Sequence, residues 1–485
     1  MSLSFTSTER INSLLRGSSA PDRSERPWKA AILSSAVLSI LFIVVYGGSN
    51  TLAAQRELRT SFFPWEKQIP FVPLLIVPYL SIDLFFVTSF LLCADTPELR
   101  THARRVALAI LIAGVAFVIF PLTVGYERPV VGGWTGWLFE FLWSFDKPHN
   151  LVPSLHVALA SLLWPVYARH TRGLVRWLIH GWFALIVVSP LLTWQHHVLD
   201  VVTGAMLGQF CIFCVPEQFT FGSAGFATIA TSNRTRSTDR ASALPRRSLF
   251  ISTPRVRIAR RCATGSTILI VLALVIGSWA WLLLWPALAL AILSIAYLRG
   301  NGDVFRKSQG KIPISTRVIL GPYLCGMFVR RLIYKNRVRA WTEVAPGVYC
   351  GRLPTRQDVE ALHAMGVSAV LDLTAEHSEA RAFRHNSHSK PTLRHRQINV
   401  NLDNAIEYLN IPVLDLTAPS KEQLEVAAAF IAKHRSRGNV YVHCALGVSR
   451  SVSVVVHCDA TLNRTVLAFA PSRCFASLRE TKHYN

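Results

Sequence analysis

Long apolar blocks constrain this 485-residue chain more than any other feature of its sequence. A helix that crosses the hydrocarbon core of a bilayer needs about 20 mostly apolar residues. Six blocks in the first half of the chain reach or approach that length, at residues 30–47, 71–93, 106–125, 155–168, 177–193 and 198–216. With 51% hydrophobic and 16% charged residues, the composition also fits a membrane protein better than a soluble one. The sequence therefore predicts a six-span membrane domain over residues 29–216.

The chain has a formal net charge of +23, and its cations are concentrated in some of the loops between the apolar blocks and are scarce in others. Arginines cluster before the first block, between the second and third, and between the fourth and fifth, which predicts that these loops are cytoplasmic. The loop of residues 126–153 holds few cations and several tryptophans, as expected of an outer segment at the membrane interface. This sorting favours anchoring to anionic lipid over nucleic-acid binding. Membrane lipids are therefore expected partners, and nucleic acid is not.

A second apolar block, residues 265–299, would be about 50 Å long as one helix, which is too long for one comfortable span. Tryptophans and Pro286 near its middle favour a membrane hairpin that returns the chain to the basic side. The alternative, a single tilted helix, would place the C-terminal region outside. Residues 217–264, rich in Arg, Ser and Thr, are predicted to be a flexible linker, and residues 300–340 a basic connector. Residues 1–28 are predicted to be a cytoplasmic N-terminal segment.

Polar residues gather at the predicted outer ends of the spans, near Arg128, at Pro153-Ser154-Leu155-His156 and from His196 to Asp200. Because Asp200 lies one helical turn after His196, its carboxylate is expected to orient that imidazole as a nucleophile. His156 could then protonate the leaving oxygen, and Arg128 could neutralise phosphate oxygens. Such residues are functional candidates when they lie at membrane depth. The alternative is that the histidines simply face the headgroup region.

The segment of about residues 120–208 resembles the type 2 phosphatidic acid phosphatase superfamily in its RP, PS-x-H and H-x3-D motifs. The resemblance implies that His196 attacks phosphorus to give a phosphohistidine, that Asp200 supports it and that His156 acts as the acid. Two cations of the family pattern are missing, which weakens phosphate binding unless His197 or Lys147 substitutes. PSLH and the double histidine are more similar to the inositolphosphorylceramide-synthase branch, which transfers a phosphoryl-alcohol group between lipids. Hydrolysis and transfer therefore both stay open.

From about residue 341 the sequence changes to short apolar runs, which predict buried strands at residues 347–352, 369–373, 411–416 and 439–443. Helical patterns occupy residues 356–365 and 422–434 between them. The last strand runs straight into a short loop and a further helix, which is the order that a backbone cradle for phosphate requires. The sequence thus predicts an α/β cysteine-phosphatase domain over residues 341–485.

The loop after the last strand carries its own chemistry. The helix N-terminus, the loop amides and Arg450 are expected to lower the pKa of Cys444, which makes that cysteine a thiolate nucleophile. Arg450 can hold two phosphate oxygens with its planar fork, and Ser451 could assist departure of the thiolate. The predicted phosphate-binding residues of the loop are Ala445, Leu446, Gly447, Val448 and Ser449.

A general acid is still needed for the leaving group, and Asp415 is the predicted one, with Asp403 and Asp372 as alternatives. The HC-x2-G-x2-RS motif lies at residues 443–451. Through this motif the segment of about residues 341–456 resembles the dual-specificity branch of the protein tyrosine phosphatase superfamily. The resemblance implies hydrolysis through a phosphocysteine without metal or cofactor, on substrates that range from phosphoproteins to phospholipids. After Val456 the helices that close such a fold are not evident, so the domain is expected to be incomplete at its C-terminus.

The predicted fold class is a polytopic α-helical membrane domain, with a six-span core plus a hairpin, followed by an α/β cysteine-phosphatase domain. We expect a bacterial-type, multi-pass inner-membrane protein in which the membrane-domain site faces outward and the C-terminal domain is cytoplasmic. The expected activity is hydrolysis of phosphorylated lipids or proteins at two sites. The alternatives are a lipid phosphotransferase and a membrane-tethered sensor that binds phosphate ligands without turnover. The sequence predicts no oligomeric state.

Overall fold

The structure, a computed structural model, consists of two compact units, residues 1–237 and 238–485. The described residues are 26–55, 60, 62–127, 129–147, 149–217, 254–380, 383 and 406–462. Of Phe145, Ser278, Trp279 and residues 459–462, only the backbone is described.

Unit 1 is built from helices. They are α1 (Trp28–Ala53), α2 (Ile76–Leu92), α3 (Thr96–Ile119), α4 (Gly133–Phe145), α5 (Leu155–His170), α6 (Gly173–Leu192) and α7 (Val198–Cys214). The core lies between helices, where Ile110 of α3, Leu163 of α5 and Phe183 of α6 are fully buried. Helix α4 differs from the sequence analysis, which predicted only an interface-lying loop there; its Phe139 is buried against Ile76 and Tyr79, and this packing stabilises the helix.

Six helices in the described parts of the chain are long and apolar enough to cross a membrane, judged by length and composition. They are residues 28–53, 73–92, 96–119, 173–192, 254–276 and 280–299. Two predicted spans fall outside this set because their helices are shorter, with 16 residues in α5 and 17 in α7. At 1.5 Å per residue each is about 25 Å long, slightly less than a bilayer core of about 30 Å.

Close packing of α5 against α7 brings the two predicted motifs of unit 1 together. A Cβ on Gly204 would lie 2.3 Å from the carbonyl oxygen of Ser154, and a Cβ on Gly208 would lie 2.5 Å from the Cβ of Ser161. Only glycine allows this approach, as in other helix pairs with small residues four apart. The Ser154 amide donates to the Asp200 carbonyl oxygen at 3.0 Å as a result. The N-termini of α5 and α7 therefore lie side by side.

Unit 2 begins with two antiparallel helices where the hairpin was predicted. They are α8 (Pro254–Ile276) and α9 (Leu284–Arg299), joined by a 3₁₀ helix. The Ser266 hydroxyl donates to Ala287 O, and the Ser294 hydroxyl donates to Ala259 O, each at 2.9 Å. Helix α8 starts inside the segment predicted to be a flexible linker. Its first turns carry arginines, which a hydropathy pattern does not count as part of a membrane span, but arginine is a good helix-forming residue.

The domain that the sequence predicts to be a cysteine phosphatase, called the phosphatase part of unit 2 below, contains a five-stranded sheet with helices. Its strands are β1 (Trp341–Ala345), β2 (Val348–Arg352), β3 (Val367–Thr374), β4 (Glu407–Val413) and β5 (Asn439–Cys444), in the order β1-β2-β5-β3-β4. Only the β1–β2 pair is antiparallel. The helices after the hairpin are α10 (Ile314–Ile319), α11 (Gly321–Tyr334), α12 (Arg356–Ala364), α13 (Lys421–Arg435) and α14 (Arg450–Leu462). Because β5 is central, the loop after Cys444 opens at the carboxyl edge of the parallel strands, where α/β proteins bind ligands.

Several boundaries of the phosphatase part differ from prediction. Strand β1 (Trp341–Ala345) was not predicted, and β4 begins at Glu407 instead of residue 411. The strand predicted at residues 411–416 ends at Val413, and Leu414–Leu416 form a turn instead. The turn places Leu416 at a φ of +59°, a conformation that a strand cannot hold. Helix α14 continues past Val456 to Leu462. The tail that raised the question of completeness, residues 463–485, lies outside the described residues.

The predicted basic connector is partly buried in the phosphatase part. The ammonium group of Lys307 ion-pairs with Asp372 and donates to the Thr374 hydroxyl at 2.9 Å and to the Thr374 carbonyl at 3.0 Å. The side chains of Lys307 and Asp372 are 1% and 0% exposed. Burial alone would raise the pKa of Asp372, but Lys307 and His443 together hold it well below its ordinary value. The connector is thus a structural element of the domain.

Replacing this lysine should destabilise unit 2. For Lys307→Met we expect the free energy of unfolding to fall by about 3 kcal/mol, because the Asp372 carboxylate would be left buried and unpaired. Pulse proteolysis of the full chain in detergent, across a urea series, measures the unfolding midpoint. Lys421→Met is the matched control, since its side chain is 82% exposed and its ion pair is worth little. Equal midpoints for the two variants would contradict the structural role of Lys307.

Candidate active site

The loop between β5 and α14 wraps around the sulfur of Cys444. The Gly447 amide donates to Cys444 Sγ at 3.2 Å, and the Ser451 hydroxyl donates to it at 3.4 Å. Gly447 has a φ of +75°, and a Cβ there would lie 2.6 Å from the carbonyl carbon of Gly351. Glycine is therefore required, both for the backbone turn and for the close approach of the loop to β2.

The surroundings of Cys444 favour its ionised form. Burial raises the pKa of a thiol, but the positive charge of Arg450, the Ser451 hydroxyl and nearby backbone amides outweigh burial and lower the pKa of Cys444 below its usual value. A thiolate is the nucleophilic form of cysteine. The predicted nucleophile, its activating arginine and its hydroxyl partner are thus brought together.

Arg450 is buried and is held by a residue that sequence analysis did not select. Its Nη2 donates to Glu376 Oε1 at 2.6 Å and its Nη1 donates to Glu376 Oε2 at 2.9 Å. The Val413 carbonyl accepts a further bond from Nη1 at 2.8 Å. Burial would raise the pKa of Glu376, but Arg450 holds it well below its ordinary value. The bidentate pair fixes the guanidinium in one orientation, with the Nε edge left out of these bonds.

Asp415 lies beside the phosphate loop. Its Oδ1 is 3.2 Å from Arg450 Nη2, and its Oδ2 forms an ion pair with Arg330 of α11. The Tyr297 hydroxyl of α9 donates to the Asp415 carbonyl oxygen at 3.0 Å. The predicted acid therefore reaches the site, and residues of the hairpin and of α11 hold it there.

The two alternative acids have different outcomes. Asp372 is fully buried, accepts from the Tyr408 hydroxyl at 2.7 Å and pairs with Lys307, so its carboxylate is engaged in the core. Asp403 lies outside the described residues. Among the described candidates, Asp415 alone is placed next to Arg450.

A buried charge cluster lies beneath the loop. His443 Nε2 is 2.8 Å from Glu379 Oε2, and both side chains are fully buried. Burial would lower the pKa of His443, but the carboxylates of Glu379 and Asp372 raise it. Asp372, Glu379 and His443 have the donor types of a metal site, but Lys307 already supplies the positive charge there. The cluster is best described as an ion-pair network that supports the residue preceding the nucleophile.

Unit 1 contains a cavity whose wall includes both His196 and Lys147. Asp200 Oδ2 lies 3.3 Å from His196 Nδ1 and accepts a hydrogen bond from the His197 amide at 2.8 Å. His196 and Asp200 are buried. The predicted histidine–aspartate pair is therefore present, and Nδ1 of His196 faces the carboxylate.

Glu66 orients the second histidine of the pair His196-His197, although it lies 131 residues away in sequence. Glu66 Oε2 is 3.2 Å from His197 Nδ1 and accepts from the Val198 amide at 3.0 Å, while the Gly125 amide donates to His197 Nε2 at 2.9 Å. Both ring nitrogens of His197 are thus engaged. Of the two residues that could replace the missing family cations, Lys147 is the one that lines the cavity.

Among the described residues, the predicted acid His156 does not line this cavity. The ring of His156 stacks on Tyr79 with centroids 4.4 Å apart, and its Nε2 lies 3.2 Å from Ile186 O. Its role as the acid stays a prediction. Arg128 lies outside the described residues.

Comparison with known proteins identifies the class of the C-terminal domain. Residues 337–470 match the family described as PTP-NADK, a DSP-PTPase phosphatase fused to NAD+ kinase. The chain is 28% identical over 160 residues to phosphatidylglycerophosphate phosphatase PTPMT1 of Arabidopsis thaliana, covering 33% of this chain and 43% of that protein. It is 29% identical over 163 residues to human dual specificity protein phosphatase 26, covering 31% of this chain and 70% of that protein.

Among solved structures, Tk-PTP in its active form is similar, with 20% identity, a TM-score of 0.20, and coverage of 30% of this chain and 85% of that one. The chain spans less than half the length of the Arabidopsis relative. The C-terminal region has a dual-specificity phosphatase domain of the protein tyrosine phosphatase type. The prediction of a dual-specificity type phosphatase domain in the C-terminal region is thereby confirmed.

The lowered pKa of Cys444 has a measurable consequence. Iodoacetamide alkylation of Cys444, followed by peptide mass spectrometry across a pH series, should have a midpoint below the ordinary thiol value of about 8.5. In Ser451→Ala the midpoint should rise, because the thiolate loses a hydrogen bond that favours it. Ser453→Ala, which removes an exposed hydroxyl bonded only to Ser449 O, is the control. A wild-type midpoint at or above about 8.5 would refute an activated thiolate.

Proposed function

We propose that the C-terminal domain hydrolyses phosphomonoesters through a phosphocysteine formed on Cys444. The observation that carries this proposal is the buried Cys444 sulfur, which receives hydrogen bonds from Gly447 and Ser451 beside the fixed guanidinium of Arg450. The sulfur attacks phosphorus, the bond to the leaving oxygen breaks, and Arg450 with the loop amides neutralises charge on the remaining phosphate oxygens. Water then attacks the phosphocysteine, and Ser451 stabilises the departing thiolate.

Asp415 is the proposed proton donor to the leaving oxygen and the base for the attacking water. Its carboxylate lies 3.2 Å from Arg450 Nη2, the group proposed to hold the phosphate, so the carboxyl stands beside the phosphate-binding loop, where a proton donor to the leaving oxygen is needed.

We propose a phosphorylated lipid as the substrate of this site. One relative is named for a phospholipid phosphate and another for dual-specificity protein phosphatase activity. The lipid is favoured here because the acid is held by Tyr297 of an apolar helix pair long enough to enter a bilayer. The basic loops support placing this domain on the cytoplasmic side of an inner membrane.

Leaving-group dependence tests this mechanism. Cys444→Ser should lower turnover of both an aryl and an alkyl phosphate by more than about 10³-fold, since the nucleophile is lost. Asp415→Asn should lower turnover of the alkyl phosphate by about 10²-fold or more. Turnover of p-nitrophenyl phosphate should fall less, because p-nitrophenolate leaves readily without a proton.

Asp303→Asn is the matched control, because Asp303 is exposed and belongs to the 3₁₀ helix of the connector. It should keep both rates within twofold of wild type. Unchanged turnover in Cys444→Ser would refute the phosphocysteine. Tight phosphate binding without any turnover in wild type would support the sensor alternative.

We propose a second phosphate site in unit 1, of the type 2 phosphatidic acid phosphatase kind. It is favoured by one observation: His196, paired with Asp200, shares a cavity wall with Lys147. The Nε2 of His196 would attack phosphorus as the bond to the lipid oxygen breaks, and the lipid alcohol would leave after that oxygen takes a proton. Asp200 would stabilise the imidazolium, Lys147 would neutralise phosphate oxygens, and water would then cleave the phosphohistidine to release phosphate. Transfer to a lipid alcohol is the alternative outcome at the same phosphohistidine.

The second site is tested in a Cys444→Ser background, which silences the first. In reconstituted vesicles, His196→Ala should lower phosphate release from phosphatidic acid by about 10²-fold or more, and Lys147→Met should lower it by less. His180→Ala is the control, since His180 accepts from Trp164 and does not line the cavity. Appearance of ceramide 1-phosphate on adding ceramide to the vesicles would show transfer to a lipid alcohol. Equal release in all variants would refute the site.

A further inference from the structure

Helix α11 has two faces of opposite character. The face turned toward the rest of unit 2 contains Tyr323, Met327, Arg330 and Arg331, spaced by about one helical turn. Arg330 pairs with Asp415, and Arg331 Nη2 donates to the Leu353 carbonyl at 3.3 Å. The polar side chains of this helix therefore face the protein, which is the reverse of an ordinary surface helix.

The opposite face of α11 is apolar and exposed. Its large side chains are exposed by 53% for Phe328, 47% for Val329, 45% for Leu332 and 54% for Ile333, and Cys325 on the same face is also exposed. The spacing of these residues makes one continuous stripe along the helix. Contiguous apolar patches on soluble surfaces are small, so a stripe of this kind needs a partner.

Two observations indicate that the partner is a lipid bilayer. First, the start of α11 lies against the hairpin, because the Trp285 indole of α9 donates to Val318 O of α10 at 2.8 Å and a Cβ added to Gly321 would lie 2.9 Å from the Trp285 ring. The hairpin itself exposes large apolar side chains, such as Val275 and Leu298. Second, exposed cations flank the stripe at both ends, as expected next to anionic headgroups; they are Arg317, Arg337 and Arg339.

We propose that the exposed face of α11 lies in the bilayer beside the hairpin and thereby holds the candidate acid of the phosphatase at the membrane surface. The inward face of the same helix contacts Asp415 through Arg330, and Tyr297 of the hairpin contacts the Asp415 backbone. Membrane contact and catalytic geometry thus share one helix. The membrane contact of α11 does not depend on the proposed function. Only the link to catalysis rests on it, because that link assumes a substrate whose phosphate is carried on a lipid headgroup.

The contact with lipid is tested directly by photolabelling. The full chain is reconstituted into phosphatidylcholine–phosphatidylglycerol vesicles that contain a diazirine-bearing phosphatidylcholine, and adducts are located by peptide mass spectrometry. We expect adducts on peptides that carry Phe328 or Leu332 and on the hairpin helices, and none on α13. Labelled hairpin helices with an unlabelled α11, whether another protein surface or water covers it, would overturn the proposal.

The link to the substrate is tested by Phe328→Glu, with Val426→Glu on α13 as the matched control, since Val426 is also an exposed apolar residue of a helix in unit 2. Phe328→Glu should lower turnover of phosphatidylglycerophosphate in vesicles by about tenfold or more, because a charge replaces an aromatic side chain that the proposal places in the bilayer. Turnover of soluble p-nitrophenyl phosphate in detergent should stay within twofold. Phe328→Leu should retain most vesicle turnover.

Each outcome has a distinct meaning. Equal vesicle turnover in Phe328→Glu and Val426→Glu would overturn the link to lipid substrate. Loss of aryl phosphate turnover in Phe328→Glu would make Phe328 a folding residue and would also overturn it. A wild-type chain that labels on α11 but releases no phosphate from any substrate would refute the proposed function while leaving the membrane contact supported.

Discussion

The buried guanidinium of Arg450 is the interaction on which the catalytic domain depends. A charge at 2% exposure costs several kcal/mol unless it is paired, and Glu376 supplies two hydrogen bonds to it. Glu376 lies just after β3, Val413 ends β4, and Arg450 lies just after the loop that follows β5. Pairing this one buried charge therefore brings the ends of three strands together. Asp415 lies two residues beyond the Val413 carbonyl that also binds Arg450. Nucleophile, phosphate-binding group and candidate acid are thus placed by one network.

The connector between the hairpin and the sheet extends this network. Lys307 neutralises the buried carboxylate of Asp372 in the core, and Arg330 forms an ion pair with the carboxylate of Asp415 at the candidate active site. A long charged side chain can cross an apolar layer and still place its charge against a carboxylate. The phosphatase part is therefore not simply tethered to the hairpin, since it uses residues of the preceding segments to balance its own buried charges.

Sites were predictable from the sequence where the residues that act together are also close together along the chain. The phosphate loop, with Cys444, Gly447 and Arg450 at fixed offsets, has a specific pattern. The His196–Asp200 pair was predicted from its four-residue spacing, although His196 precedes α7 and the two side chains meet at the N-terminus of that helix. Glu376 and Glu66 were not predictable, because each meets its partner across a long sequence separation and has no motif of its own. The core role of Lys307 was not predictable either, because a basic run in a connector usually marks a solvated surface. The strand ending at Val413 was predicted too long because hydropathy does not register the turn at Leu416.

The central claim is that Cys444 forms a covalent bond to phosphorus. Its most direct test is rapid acid quench of the Asp415→Asn variant of the full chain with ³²P-labelled p-nitrophenyl phosphate, followed by peptide mapping. The aryl leaving group needs no proton, so the attack by Cys444 stays fast while hydrolysis of the phosphocysteine, which needs the Asp415 base, is slowed and the intermediate accumulates. We expect label on the peptide that carries Cys444 and none after Cys444→Ser. Label confined to the peptide that carries His196, or no label on either peptide while phosphate is still released, would contradict the account.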